Sequence, residues 1–515
     1  MTKERLAAID IGTNSIRCIV VEVDKTGKYR VLDDEKTTVR LGEGLEDDGA
    51  ISPAAWQRSM DALSQMKKIV ECYGVIGIEA VATSAVRRAS NGCAFVTAVA
   101  EQIGLHIAVI SGEQEADLAL ASALNNFDME WTRYALVDIG GGSVEVVTAL
   151  GNHIEAIHSL DLGAVVLTEK FMPKGATGRS DCQRLVKHIN KTLKAAIPGA
   201  VPVQCLLGSG GTMTSIAAMV MAMRKEGYGS IHGYEVLRSE VVHLLQMLLR
   251  KDLKERSAIP GLNPDRADII VAGVMLVNEL MELFKVNLLR INERGIREGL
   301  ILQGLKKHNL LPAHKEAQSW RKGVLEFARS CHHDETHALQ VAKLSLEIFS
   351  QVASTFGLPE KARQMMEAAA LLHDIGYFIG YSGHHKHTYH LVRHADLFGF
   401  TPREREIIAQ IARYHRKSLP KKKHECFGRL SSQDQLLVMR LGGILRLADG
   451  LDRRSNSLVS ALDCYLSHSA FVIGLKGGRD VSVELVSGKA KGELFEVAFD
   501  RKLQLMASPA EALAA

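Results

Sequence analysis

The sequence has no Cys-x-x-Cys pair. Its eight cysteines (18, 72, 93, 182, 205, 331, 426 and 464) are scattered along 515 residues. This spacing argues against a zinc knuckle or a disulfide framework and for reduced thiols in the cytosol. An excess of charge of one sign is also lacking. Lys+Arg 63 against Asp+Glu 59 leaves a net +4. The chain as a whole is therefore neither a strong polyanion binder nor a disordered acid, and any basic partner site must be local. No low-complexity segment interrupts it. No apolar run reads as a leader or a membrane span. The stretch in "MTKERLAAIDIG" is too short for a secretory signal. The 29 uncharged residues between Lys194 and Arg224 include two prolines, a Gln and a Gly-Ser-Gly-Gly turn. They read as a strand, a glycine loop and a helix.

The length calls for three or four domains, and 46% hydrophobic residues suit ordinary globular packing. Up to about residue 305, β-branched runs alternate with stretches of helical spacing such as "PAAWQRSMDALSQMKKIVECYG", which predicts α/β architecture. After residue 315 the chain turns helical and rich in histidine, through about residue 455. The closing segments "AFVIGLKGG", "VSVELVSG" and "GELFEVAFD" alternate and end on Gly turns, which predicts a small β or α/β module.

One design occurs twice, 128 residues apart: "LAAIDIGTNSIRCIV" from Leu6 and "ALVDIGGGSVEVV" from Ala135. Each is an apolar strand that ends in Asp, where α/β folds place ligands. Gly140, Gly141 and Gly142 let backbone N–H groups approach phosphate oxygens. The hydroxyls of Thr13, Ser15 and Ser143 add donors. A third loop, "LLGSGGTMTSIAAM", carries Gly210, Gly211 and Thr212 between a strand and a helix. One such loop is an ordinary tight turn; three favour a phosphate site. The carboxylates of Asp10, Asp138 and Glu145 suit Mg²⁺, directly or through water.

With "DIGTNSIR" (10–17), "ATSAVRRASN" (82–91), "ISGEQEADLA" (110–119), "DIGGGSVE" (138–145), "GSGGT" (208–212), "IPGLNPDRADII" (259–270) and "IREGL" (296–300), the chain resembles the exopolyphosphatase/guanosine pentaphosphate phosphohydrolase family. That family sits within the wider superfamily of actin, Hsp70 chaperones and sugar kinases. The resemblance implies an α/β plus α architecture. Two diverged ribonuclease-H-like domains, 1–128 and 129–306, are followed by a helical HD-like domain, 315–456, and a small C-terminal β-rich module, 457–515. It implies phosphates held between the first two domains by Thr13, Asn14, Ser15, Arg17, Arg87 and the loops Gly140–Ser143 and Gly210–Thr212. Mg²⁺ is expected at Asp10, Asp138 and Glu145, with room for K⁺, and the protein is expected to be a cytoplasmic homodimer.

The family carries Gly-x-Glu-Glu-Ala with the second Glu as catalytic base. Here the stretch is Gly112-Glu113-Gln114-Glu115-Ala116, so Gln114 departs from the pattern and Glu115 keeps it. Ser111 is a good N-cap with Gln114 at the capping-box position, which puts Glu115 in the first turn of a helix. Read alone, Glu115 serves as a base or only complements the helix dipole; the family motif decides for the base. Arg266, in "PDRAD", is a weaker candidate, equally an ion-pair partner of Asp268.

His337, the pair His373-Asp374 and Asp449 follow the pattern of HD-type metal phosphohydrolases, and imidazole with carboxylate suits Mn²⁺, Fe or Zn²⁺. Histidines 384, 385, 387, 390, 394 and 415 are available to complete such a site. In the long members of the family this domain mainly shapes a substrate channel, so metal catalysis there is the less favoured reading. The run "ARYHRKSLPKKKHE", with Arg393 nearby, is either a solvated face or a track for a phosphate chain. The expected activity is Mg²⁺-assisted removal of terminal phosphate from inorganic polyphosphate. The alternatives are conversion of pppGpp to ppGpp, a non-catalytic nucleotide-binding regulator, and a kinase of the same superfamily. No specific nucleic-acid partner is expected.

Overall fold

The computed structural model describes residues 3–24, 27–172, 178–311, 319–477 and 480–507. The chain divides into two compact units. One comprises Met1–Gly227 with Ile231–Ala317; the other comprises Tyr228–Ser230 with Gln318–Ala515.

The first unit holds two sheets. In one, β1 (Glu4–Ile11), β2 (Ser15–Val23), β3 (Tyr29–Thr38), β4 (Gly77–Ala82) and β5 (Ala108–Val109) lie in the order β3-β2-β1-β4-β5. In the other, β6 (Arg133–Ile139), β7 (Val144–Leu150), β8 (His153–Leu160), β9 (Cys205–Ser209), β10 (Glu235–Leu237) and β11 (Leu288–Ile291) lie in the order β10-β11-β9-β6-β7-β8. Each sheet opens with an antiparallel meander and continues with parallel strands on the far side of its first strand. β10 adds an antiparallel edge to the second sheet. The repeat seen in two short sequence motifs thus extends to the topology of both sheets. The central strands carry near-continuous apolar runs because both of their faces are covered.

Ala7, Ile9 and Ile11 of β1 pack on Leu63, Met66 and Val70 of the helix Pro53–Cys72. On the other face, Leu6 and Ala8 pack on Leu300, Ile301 and Leu305 of the helix Gly295–Lys307. That helix was expected in the second domain. The helix Gly112–Asn126, expected in the first, places Ala116, Ala119 and Leu120 in the core of the second sheet with Leu136 and Val147. The linear boundary at residue 128 therefore does not follow the packing. The two helices cross closely at Gly299, where a Cβ would lie 2.2 Å from Leu118 O. The buried Glu298 joins them, accepting from Ser122 Oγ at 2.8 Å and Arg294 Nη1 at 3.1 Å.

The second unit is mainly helical, as its sequence predicts, with Glu335–Val352, Glu360–Leu372, His384–His394, Pro402–Arg413 and Ser432–Leu451 among its helices. It closes with β12 (Ala461–Leu466), β13 (Ala470–Lys476) and β14 (Lys502–Ala507), in the order β12-β13-β14. "VSVELVSG" and "GELFEVAFD" are not strands: they form the helices Ser482–Lys491 and Glu493–Phe499. Of the β and α/β forms expected for this segment, the α/β form is present. Close helix packing overrides the alternation. A Cβ at Gly443 would stand 2.9 Å from Phe495 Cα, and one at Gly450 would stand 3.0 Å from Gly488 Cα. Nor is the 457–515 segment separate, because one core runs from Val324 through Leu371 and Ile444 to Phe499.

Candidate active site

The repeated sequence makes a repeated hairpin turn. Asp10 pairs with Arg17 across β1 and β2, and Asp138 pairs with Glu145 across β6 and β7. In the first turn Gly12 N donates to Ser15 O at 3.1 Å; in the second Gly140 N donates to Ser143 O at 3.0 Å. The turns face one another. A Cβ on Gly141 would lie 2.9 Å from Thr13 Cβ, and one on Gly142 would lie 2.4 Å from Ser84 Oγ and 2.8 Å from Thr13 Oγ1. Only glycine fits between them. Gly142→Ala is expected to destabilise the fold by about 1–3 kcal/mol through overpacking and to lower phosphate release with it. Thermal melting and a release assay on the same preparation check this, and an unchanged melt with full activity would contradict the facing-turn geometry. The third loop joins them through β9, whose Ser209 pairs with Asp138. Gly210 there adopts φ +92 and would press a Cβ to 2.4 Å from Ile139 O.

Together these turns line one cleft. Asp10, Thr13, Asn14, Ser15, Arg17, Glu115, Asp138, Gly140, Gly141, Gly142, Ser143, Glu145, Gly210 and Gly211 all border it. Two of the expected phosphate contacts do not. Arg87 Nη1 donates to Glu115 Oε1 at 2.5 Å and to Ile110 O at 2.7 Å, so it clamps the expected base. Thr212 is fully buried, and its Oγ1 accepts from Arg266 Nη2 at 3.3 Å. Arg266 itself borders the cleft. Its expected partner Asp268 instead accepts from Arg40 at 2.8 Å. Sequence reasoning also passed over Ser84, Arg294 and Arg297, which line the cleft as well. Two of them lay inside quoted motifs: Ser84, in "ATSAVRRASN", comes two residues after β4, the parallel neighbour of β1, and Arg297 is the second residue of "IREGL"; Arg294 lies two residues before that motif.

The capping box forms as its spacing predicts. Ser111 Oγ accepts from Gln114 N at 3.2 Å, and Ser111 N donates to Gln114 Oε1 at 2.9 Å. Gln does this as well as Glu, which accounts locally for the departure at 114. The helix thereby delivers Glu115 to the cleft in its first turn. Burial pushes the Glu115 carboxyl up to about 7, against the hydrogen bond from Arg87. Burial, then Asp10, pushes Asp138 up to about 7, against Arg17. Glu145 is raised well above its ordinary value by burial and then by Glu115 and Asp138. Asp10 is raised by burial, opposed by Arg17 and Arg297. Burial raises all four carboxyls, and the charges of Asp10, Glu115 and Asp138 raise three of them further, so the site is short of positive charge.

That shortage fits a divalent cation. Three of these carboxylates do not close on one point, however. Among the described residues, only two groups bring three His, Cys, Asp or Glu ligand atoms within 4.8 Å of one another, and both lie in the second unit. A cleft offering one or two direct carboxylates and room for water suits Mg²⁺, which keeps much of its water shell.

In the second unit His337, His373 and Asp449 form one of those groups, and Asp374 with His384 and His415 forms the other. All four of the residues expected there are brought together, and two of the six additional histidines join them. The basic run is less available than its composition implies. Arg393 pairs with Glu406 at 3.2 Å, Arg413 stacks on Tyr389, and Arg416 donates to the ring of His384. Lys417, Lys421, Lys422 and Lys423 are exposed. No helix of the described residues is long and apolar enough to cross a membrane.

Comparison with known proteins agrees with the cleft. The model of the Ppx/GppA phosphatase family matches residues 19–308, and that of Ppx/GppA phosphatase, domain III, matches residues 321–476. A guanosine-5'-triphosphate,3'-diphosphate pyrophosphatase of Vibrio vulnificus (strain YJ016) is 27% identical over 446 residues, 85% of this chain and 86% of that protein. Exopolyphosphatase 2 of Mycobacterium tuberculosis (strain CDC 1551 / Oshkosh) is 30% identical over 318 residues, 59% of this chain and 99% of that protein. The crystal structure of an exopolyphosphatase from Cytophaga hutchinsonii ATCC 33406 superimposes with a TM-score of 0.56 at 25% identity, over 60% of this chain and 100% of that one. The Aquifex aeolicus family member gives 0.52 at 27%, over 60% and 99%. Two Asp-Ile-Gly turns beside a buried carboxylate, in a chain matched along most of its length by the family's models, make this protein a member of the Ppx/GppA phosphatase family and a hydrolase of phosphoanhydride bonds.

Proposed function

We propose that this chain is a cytosolic exopolyphosphatase that removes terminal orthophosphate from inorganic polyphosphate, with Glu115 as general base and Mg²⁺ at the Asp10–Asp138–Glu145 end of the cleft. The observation that carries it is the placement of Glu115: buried, held by Arg87 and facing two glycine turns of the same hydrogen-bonded form. The repeated strand order supports two diverged ribonuclease-H-like folds as the scaffold, and the histidine-bearing helices support an HD-like fold in the second unit.

The terminal phosphate is held by backbone N–H groups of the turns and by Thr13, Asn14, Ser15 and Ser143. Arg17, Arg266, Arg294 and Arg297 offset its charge. Glu115 orients a water in line with the terminal phosphorus and takes its proton as the bond to the next phosphate breaks. Arg87 keeps the carboxylate pointed into the cleft and opposes its protonation. When bound, Mg²⁺ neutralises charge that develops on the bridging oxygen. This assignment leaves no role for a second acceptor substrate, as a kinase would need.

A second reading has a specific support. The alignment to the Vibrio vulnificus pyrophosphatase covers 85% of this chain, more than the first unit holds, whereas that to the mycobacterial exopolyphosphatase covers 59%. Comparing kcat/KM for long-chain polyphosphate and for pppGpp on one preparation decides between them, and a clear preference for pppGpp would reverse the assignment.

Relatives of about the size of the first unit exist as whole proteins, so a chain ending at Leu311 is expected to fold and to release phosphate from short substrates. The four exposed lysines of the second unit bind a polyanion by counterion release. The shortened chain should therefore show a higher KM for long-chain polyphosphate and a flatter dependence of KM on salt. Equal KM values and salt slopes for the two chains would remove the lysines from substrate binding.

A further inference from the structure

We propose that Glu298 is a positioning residue for substrate binding: it holds the Arg294 guanidinium at the cleft, and through Arg294 it sets the grip on an anionic phosphate chain. This rests on the reading of the cleft as a phosphate site.

Arg294 and Glu298 stand four residues apart, one turn of helix, at the start of Gly295–Lys307. Arg294 immediately precedes that helix and borders the cleft, as do Gly295, Ile296 and Arg297 after it. Gly295, at φ +55, would bring a Cβ to 3.9 Å from Ser209 Cβ and 4.0 Å from Asp138 Oδ2. The chain here therefore runs against the aspartate of the second hairpin. Asn292 fixes that approach. Its N donates to Gly208 O at 2.8 Å, its Oδ1 accepts from Arg294 N at 3.3 Å, and its Nδ2 donates to Ser122 Oγ at 3.3 Å.

Glu298 lies in the seam between this helix and Gly112–Asn126, only 3% exposed. A carboxylate so buried persists only when its oxygens are satisfied. Its Oε2 accepts from Ser122 Oγ at 2.8 Å and from Asn126 Nδ2. Its Oε1 accepts from Tyr29 OH, from Asn125 Nδ2 at 3.4 Å and from Arg294 Nη1 at 3.1 Å. The same Nη1 donates to Asn126 Oδ1 at 2.7 Å. One end of the guanidinium is thus pinned by acceptors from two helices. One of those helices, Gly112–Asn126, carries Glu115 in its first turn, so a single seam holds the arginine and the base in register.

The carboxylate has two opposed effects on binding. It fixes a long side chain in advance, which spares the ordering cost when the substrate arrives. Its negative charge also weakens the pull of Arg294 on phosphate. The geometry decides for the first. At 3.1 Å the contact is longer than the ~2.7–2.9 Å of a strong charge-assisted pair. Four neutral donors share the charge of Glu298, and the nearer acceptor for Nη1 is the neutral amide of Asn126. Arg294 is oriented while most of its field still reaches the cleft.

The test titrates tripolyphosphate calorimetrically into the full chain carrying Glu115→Gln, at low and moderate salt. Adding Glu298→Gln should raise Kd about 10-fold, the weight of one hydrogen bond to a charged group. It should also flatten the slope of log Kd against log salt by about one ion, as loss of a phosphate contact does. With Arg294→Ala already present, Glu298→Gln should change neither quantity further. In the otherwise unaltered enzyme Glu298→Gln should raise KM for tripolyphosphate and leave kcat near its original value. Melting curves follow folding. Asn126→Ala removes the nearer acceptor of Arg294 without touching the carboxylate, and should move Kd and the salt slope in the same direction. Equal or tighter binding with both Glu298→Gln and Asn126→Ala overturns the proposal, as does a full Glu298→Gln effect beside Arg294→Ala. A lower melting temperature and lower kcat with Kd unmoved would make Glu298 a structural joint and overturns it too. No binding by the Glu115→Gln chain overturns the phosphate reading together with this proposal, whereas an unmoved Kd overturns this proposal alone.

Discussion

Exchanging Glu115 for Gln is expected to lower kcat for phosphate release by about 10²–10⁴-fold, the range of a positioned general base, with KM near its original value. The amide keeps the size of the side chain and an oxygen for Arg87 Nη1, which donates to Glu115 Oε1 at 2.5 Å. Only the basicity is removed. The same reasoning fixes the pH dependence. Burial holds Glu115 near 7, and a base works only when ionised, so kcat/KM of the unaltered enzyme should climb as pH rises through about 7. Steady-state release of orthophosphate between acid and mildly alkaline pH measures both effects. If Glu115→Gln turns over at a near-normal rate, the base lies elsewhere in the cleft.

Asp138→Asn should cost about 10²–10³-fold in kcat/KM, the several kcal/mol that a bound cation contributes to charge stabilisation, and should raise the Mg²⁺ concentration required. It should also do something that loss of function alone would not: make the metal-free protein more heat-stable above pH 7. Asp138 and Glu115 are raised from their ordinary 3.8 and 4.5 to about 7. The native state therefore holds protons that the unfolded chain has already released. Stability from this source is complete below the unfolded values and is lost as pH climbs through the folded ones. Mg²⁺ should restore it, with a larger rise in melting temperature at pH 8 than at pH 5. Asn removes the raised Asp138 carboxyl, whose charge also raises Glu115 and Glu145, and so relieves part of the loss without metal. Melting curves with and without Mg²⁺ at the two pH values test this. A metal-free Asp138→Asn protein that melts lower than the parent at pH 8 would mean that the carboxyls are not the source of strain.

Much of the site could be read in the sequence because its signals are local. Asp-Ile-Gly at the end of an apolar strand, and a Ser with Gln three residues on, carry their geometry within one turn of chain, and both turns form. What escaped depends on distant packing. Arg294 and Arg297 reach the cleft because the helix Gly295–Lys307 returns to cover β1, which no local pattern announces. Arg87 was assigned to phosphate because a cation near a phosphate loop invites it, but Ile110 O and Glu115 claim its donors first. "VSVELVSG" alternates like a strand, yet Gly450 and Gly488 let its helix lie against Ser432–Leu451 at backbone distance. A two-residue period cannot report that opportunity. His384 and His415 were two of six additional histidines, told apart only by which carbonyl each Nδ1 meets.

The paired hairpins are alike in strand order and turn hydrogen bond, but where the first places Arg17 opposite its aspartate, the second places Glu145. Had duplication left the same residue in both, the cleft would have two equivalent ends. A linear phosphate chain is itself symmetric end to end, so nothing in such a substrate would say which way to enter a symmetric groove. The exchange of cation for anion gives the groove a direction. On the function proposed above, an incoming phosphate terminus would be drawn to the arginine side and kept from the glutamate side unless a metal ion masks it. Two turns of one form make the cradle; their difference at one position would make it a one-way seat.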